Sequence, residues 1–148
     1  MIVDTSLLIA LDQDNSDAVQ AVEKKESAGI PLRIPTAVLM ELYVSVGLGS
    51  DPNTNAAALE ALVANYPVVT LDANIAKKAG ALLGVHRASD TKPQLGAFDA
   101  IVAATGLVYA EAVITNDTDD FTPVACCMVS KSVQTYRTAF TSDRNSHF

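Results

Sequence analysis

The chain has 148 residues, 49% of them apolar and 18% charged, which fits one folded domain with its own core and excludes a disordered segment. Its 17 acidic residues stand against 10 Lys and Arg, a formal net charge of −7. That balance excludes a uniformly basic nucleic-acid surface, but not a nucleic-acid enzyme with carboxylates at its centre.

The acidity is uneven. Residues 1–75 carry 10 acids and 3 bases, whereas residues 76–148 carry 7 of each. Asp outnumbers Glu 12 to 5 and Lys is scarce, a balance that suits a salt-rich cytoplasm. Cys126 and Cys127 are adjacent, so they read as two small residues of an intracellular protein and not as a disulfide or Cys-x-x-Cys site. The opening Met1-Ile2-Val3-Asp4 has no basic leader, and no run of apolar residues is long enough to span a bilayer. The expectation is a cytoplasmic protein with no membrane partner.

In chain order, residues 1–4 read as a short buried strand ending near Asp4, with a turn or short helix from Ser6. Residues 17–28 read as a surface helix stopped by Gly29. Residues 30–34 form a second strand, followed by a helix over 37–46 with Leu39, Leu42, Tyr43 and Val46 at helical spacing. That stripe reads as core or as a dimer seam. A helix over 54–65 precedes a third strand at 68–71, and Asp72 caps a helix over 73–83. Residues 84–96 read as a polar, mobile loop that exposes His86. A helix of small residues over 98–109, a fourth strand at 112–115 and a last strand at 124–129 complete the domain, expected over residues 1–141 with a polar tail at 142–148. Alternating strands and helices predict a three-layer α/β/α domain with a mostly parallel central sheet.

In such sheets ligands bind beyond the carboxyl ends of the strands. Asp4 follows the first strand and Asp117 follows the fourth. Asp99 opens a helix, and Glu41 lies among apolar neighbours on another. Four carboxylates in one crevice repel one another, and a divalent cation removes that cost. Hard oxygen donors select Mg²⁺ or Mn²⁺, which suits hydrolysis of a phosphodiester by metal-activated water. Each acid also has a plainer reading: a helix cap for Asp4, an exposed helix position for Glu41, a first-turn acid for Asp99 and a solvated turn for Asp117.

Four segments resemble the PIN domain family, more narrowly the VapC-type toxin ribonucleases of type II toxin–antitoxin systems. They are Met1-Ile2-Val3-Asp4-Thr5-Ser6-Leu7-Leu8-Ile9, Pro35-Thr36-Ala37-Val38-Leu39-Met40-Glu41-Leu42, Leu95-Gly96-Ala97-Phe98-Asp99-Ala100-Ile101-Val102-Ala103-Ala104, and Val113-Ile114-Thr115-Asn116-Asp117 closed by Phe121. The resemblance implies a PIN-like fold and a Mg²⁺- or Mn²⁺-dependent endoribonuclease acting on structured RNA. It also implies a homodimer and a cognate antitoxin protein. On it, Asp4, Glu41, Asp99 and Asp117 become the catalytic, metal-binding acids. Asp119 and Asp120 make the last segment unusually acidic, and either is a further metal-facing candidate.

Thr5, Ser6, Thr115 and Asn116 are supporting candidates, as ligands of metal waters or phosphate oxygens or as local caps. Arg33, Arg87, Lys92, Lys131 and Arg137 are the candidate RNA contacts. Three other readings stay open: a PIN ribonuclease of RNA processing, a non-catalytic PIN-like module that binds RNA or protein, and a phosphatase with an Asp nucleophile. The last calls for a second Asp two residues after the first, where this chain has Ser6.

Overall fold

The computed structural model describes residues 1–92 and 94–116, together with the main chain of residues 129–131. Its elements are β1 (Ile2–Val3), α1 (Thr5–Asp12), α2 (Ser16–Ser27), β2 (Ile34–Pro35), α3 (Thr36–Leu48), α4 (Pro52–Val63), β3 (Val68–Val69), α5 (Ala73–Arg87), α6 (Ala97–Tyr109), β4 (Val113–Thr115) and β5 (Val129–Lys131). Strands β1, β4 and β5 pair in that order, and β2 pairs with β3, all in parallel. A parallel bridge between Ile2 and Arg33 joins the two ladders, with Val3 N–H donating to Arg33 O at 2.9 Å and Arg33 N–H to Met1 O at 2.9 Å. The spatial order is therefore β3-β2-β1-β4-β5. The fold is α/β, a central parallel sheet flanked by helices.

The central strands are buried on both faces. Ile2, Val3, Ile34, Val113 and Ile114 are at most 1% exposed, as parallel strands between helical layers must be. Helix α6 packs on β1 and β4, and its Ala100, Val102, Ala103 and Ala104 are all buried. At Gly106 an added Cβ would meet Glu111 O at 2.9 Å, so the turn from α6 into β4 admits no side chain there. Helix starts follow the caps. Asn15 accepts from Asp17 and Ala18 N–H at 3.1 and 3.0 Å, and Asp72 accepts from Asn74 and Ile75 N–H at 2.9 Å each.

One expectation is overturned. Helix α5 does not stop at residue 83 but runs to Arg87, and His86 is 3% exposed instead of lying in an open loop. Gly84 sits within the helix without a positive φ, and the C-cap is Ala88. The apolar stripe of α3 also divides. Leu39, Leu42 and Val46 join the core, whereas Met40, Val44 and Leu48 are exposed beside Tyr43. Strand β5 is described over Val129–Lys131, and the earlier residues of the predicted strand 124–129 lie outside the described residues. Residues 117–128, including Cys126 and Cys127, and residues 132–148, with the predicted domain end and tail, lie outside the described residues. Among the described residues no helix is long and apolar enough to cross a membrane.

Candidate metal and phosphodiester site

The strand order reverses direction between β1 and β4. That switch point opens a crevice at the carboxyl ends of the two strands. Asp4 closes β1 there, its N–H donating to Ile114 O at 3.1 Å. It is also the N-cap of α1, with its side chain accepting from Ser6 N–H at 3.4 Å. The cap reading and the site reading thus coincide in one residue.

Asp4 is 5% exposed, and its carboxylate meets hydroxyls from both sides of the crevice. Ser6 Oγ–H donates to Oδ2 at 2.7 Å and Thr115 Oγ1–H donates to the same oxygen at 2.8 Å. The two hydroxyls are 2.8 Å apart, and Asn116 N–H donates to Ser6 Oγ at 3.0 Å. Ser6, Thr115 and Asn116 thus form a polar bridge across the switch point. These neutral donors satisfy Oδ2 without cancelling its charge.

Glu41 reaches the same edge from α3. Thr5 Oγ1–H donates to its Oε2 at 2.5 Å. Thr5 follows Asp4 directly, so this bond ties Glu41 to the backbone that carries the first acid. Asp99 lies in the first turn of α6 and is partly buried. Its Oδ2 is folded over Gly96, where an added Cβ would stand 2.3 Å away. Gly96 therefore makes the room that the Asp99 carboxylate occupies. Among the described residues no three His, Cys, Asp or Glu side chains cluster closely enough to hold a metal ion. Asp117, Asp119 and Asp120 lie outside the described residues, as does Arg137.

The basic candidates separate. Lys131 is the register partner of Thr115 on β5, which puts it at the acidic edge. Arg87 is exposed in the last turn of α5 and Lys92 is exposed beyond it. Arg33 sits at the opposite edge of the sheet. Its Nε lies 3.2 Å from Glu111 Oε1 and its guanidinium 5.7 Å from the Tyr109 ring centre, so it serves the scaffold there. Sequence spacing could not show this, because Arg33 and Glu41 belong to consecutive elements that leave β2 at opposite ends.

The chain belongs to the PIN domain family, whose model matches residues 1–125. No curated protein matches the chain. Among solved structures, it is similar to VapBC2 from Rickettsia felis bound to a promoter DNA fragment. That match has a TM-score of 0.77 at 15% identity and covers 88% of this chain and 96% of the other. It is also similar to a toxin–antitoxin complex from Klebsiella pneumoniae, with a TM-score of 0.65 at 25% identity over 88% and 96%. VapBC-5 from Mycobacterium tuberculosis gives 0.61 at 26% identity over 88% and 94%.

Proposed function

We propose that this PIN-domain protein is the toxin of a toxin–antitoxin pair and that it hydrolyses RNA phosphodiester bonds with Mg²⁺ or Mn²⁺. The observation that carries the reading is Asp4. It is a buried carboxylate at the topological switch point, and the partners its side chain meets among the described residues are neutral hydroxyls and a main-chain N–H. The donor set suits such an ion, because carboxylate and hydroxyl oxygens are the ligands that Mg²⁺ and Mn²⁺ prefer over nitrogen or sulfur. Asp4, Glu41, Asp99 and Asp117 would hold it, with Asp119 or Asp120 as a further ligand through water. When bound, the ion supplies an activated water and offsets charge on the scissile phosphate.

The protein's own part is to fix the carboxylates and bind the substrate. Ser6 and Thr115 orient Asp4, and Gly96 leaves space for Asp99. Arg87, Lys92 and Lys131 supply phosphate contacts toward RNA, joined by Arg137. The exposed α3 stripe of Met40, Tyr43, Val44 and Leu48 is assigned to a second copy in a homodimer. The groove between α1, α3 and α4, a cavity of about 310 Å³ lined by Leu8, Ile9, Leu42, Val46 and Leu59, suits apolar side chains of an antitoxin segment.

The test is cleavage of total cellular RNA by wild type and Asp4→Asn, with and without Mn²⁺, at low and at molar salt. Metal-dependent cleavage by wild type alone supports the reading. Equal cleavage by D4N would remove Asp4 from the mechanism. No cleavage by either protein under any condition would favour a binding module. Growth arrest on expression, relieved by a small protein encoded beside it, separates a toxin from an RNA-processing enzyme.

A further inference from the structure

We propose that Thr5 is the positioning residue for Glu41, acting by holding that carboxylate at the acidic edge before any cation arrives. The inference rests on the metal-dependent ribonuclease reading and deepens it. Among the described residues, three hydroxyls meet the Asp4 and Glu41 carboxylates, and they divide between the two acids. Ser6 and Thr115 serve Asp4, and Thr5 serves Glu41. The bond from Thr5 is the one that Glu41 makes among the described residues, and it spans 36 positions in the sequence.

The local setting makes Thr5 suited to this task. It is the first residue of α1 and 8% exposed. A threonine inside a helix usually turns its hydroxyl back to the carbonyl four residues earlier. For Thr5 that carbonyl belongs to Met1, lies in the strand region, and already accepts Arg33 N–H at 2.9 Å. The hydroxyl instead points across to α3, where it meets Glu41 Oε2. The β-branched side chain has few rotamers, whereas glutamate has three flexible bonds, so the stiff partner orders the flexible one.

The chemistry of the donor matters as much as its position. A lysine or arginine here would fix Glu41 more strongly, but its charge would cancel the attraction for a metal ion. A hydroxyl orders the carboxylate and leaves its charge intact.

The experiment is Mn²⁺ titration by calorimetry in the absence of RNA, with RNA turnover measured alongside. The proteins are wild type, Thr5→Val, Thr5→Ser, Glu41→Gln and the double variant T5V/E41Q. T5V keeps the shape and removes the donor, so it should weaken Mn²⁺ binding about 10- to 100-fold, the range seen when a partner that orients a metal ligand is removed. T5S should recover to within about threefold of wild type. If Thr5 acts through Glu41, T5V/E41Q should bind no more weakly than E41Q alone. Metal-free melting curves identify misfolding, and T5A replaces T5V should the valine fail to fold. Wild-type Mn²⁺ affinity in T5V, or additive losses in the double variant, would overturn the proposal while the ribonuclease reading stands. A wild-type protein that neither binds Mn²⁺ nor cleaves RNA would overturn both.

Discussion

The two edges of the central sheet treat charge in opposite ways. At the amino-terminal edge, Glu111 Oε2 lies 3.1 Å from the Met1 ammonium and Oε1 lies 3.2 Å from Arg33 Nε. The ammonium also donates to Pro31 O, and Arg33 leans over Tyr109. One acid there meets two cations of the protein itself. At the carboxyl-terminal edge, among the described residues, the Asp4 and Glu41 side chains meet hydroxyls and a main-chain N–H. Both edges hold carboxylates that are hydrogen-bonded or ion-paired, yet among the described residues only Glu111 is paired with cations. The first arrangement suits a scaffold, and the second leaves carboxylate charge available to the proposed cation.

The sharpest way to break this contrast is at Asp4. Asp4→Asn should reduce metal-dependent cleavage by about 100-fold or more, because it removes the charged oxygen and not merely a supporting bond. The metal-free protein should melt close to wild type, since the amide oxygen still accepts from Ser6 and Thr115. Paired activity assays and melting curves check both halves.

Glu111→Gln makes the reverse trade. It should lower stability by roughly 1–2 kcal/mol, because two partly buried cations lose their countercharge. Turnover at a temperature where the variant stays folded should match wild type. A loss of turnover there, without unfolding, would show that the two edges are coupled.

Gly96→Ala sharpens the comparison within the acidic edge. The backbone at Gly96 suits any residue, with φ −67° and ψ 154°, so folding should be little affected. Its Cβ would displace Asp99, and Mn²⁺-dependent cleavage should fall about tenfold if that carboxylate faces the ion. Unchanged cleavage in a folded G96A would take Asp99 out of the site.

The smallest effect belongs to neither edge. Asp51 caps α4, and its hydrogen bonds from Thr54 side chain and main chain hold its pKa below the ordinary carboxylate value. A lowered folded-state pKa means that the cap stabilises the fold above the unfolded value and that this is lost as pH falls through the folded one. Asp51→Asn keeps an acceptor but no longer titrates. The stability difference between wild type and D51N should therefore be steady near neutral pH and shrink as the solution is acidified below about pH 4. Denaturant melts across that range measure it.

Much of this architecture is written locally. Val3, Ile34 and Ile114 stand in short β-branched runs that read as buried strands, and Asp4 and Asp72 announce helix starts. The order of the segments was enough to put Asp4 and the end of β4 on one edge. What the sequence did not reveal depends on direction and on packing. Arg33 follows the same chemistry as Arg87, but it enters β2 at the far edge and is claimed by Glu111. His86 follows a glycine that pattern reading takes as a helix stop, although packing of α5 against α6 carries the helix through. Leu42 and Val44 are equally apolar, and only the position of α4 decides which one is covered. The role of Thr5 was hidden because its partner lies on another helix.

The bridge across the switch point also bears on when the protein becomes active. Ser6 and Thr115 are 109 positions apart, and β1 has no neighbour β4 until that later segment exists. During synthesis from the amino terminus, the first acid leaves the ribosome long before the strand that completes its edge. A nuclease whose site is completed by that later strand has no assembled site while most of its chain is being made.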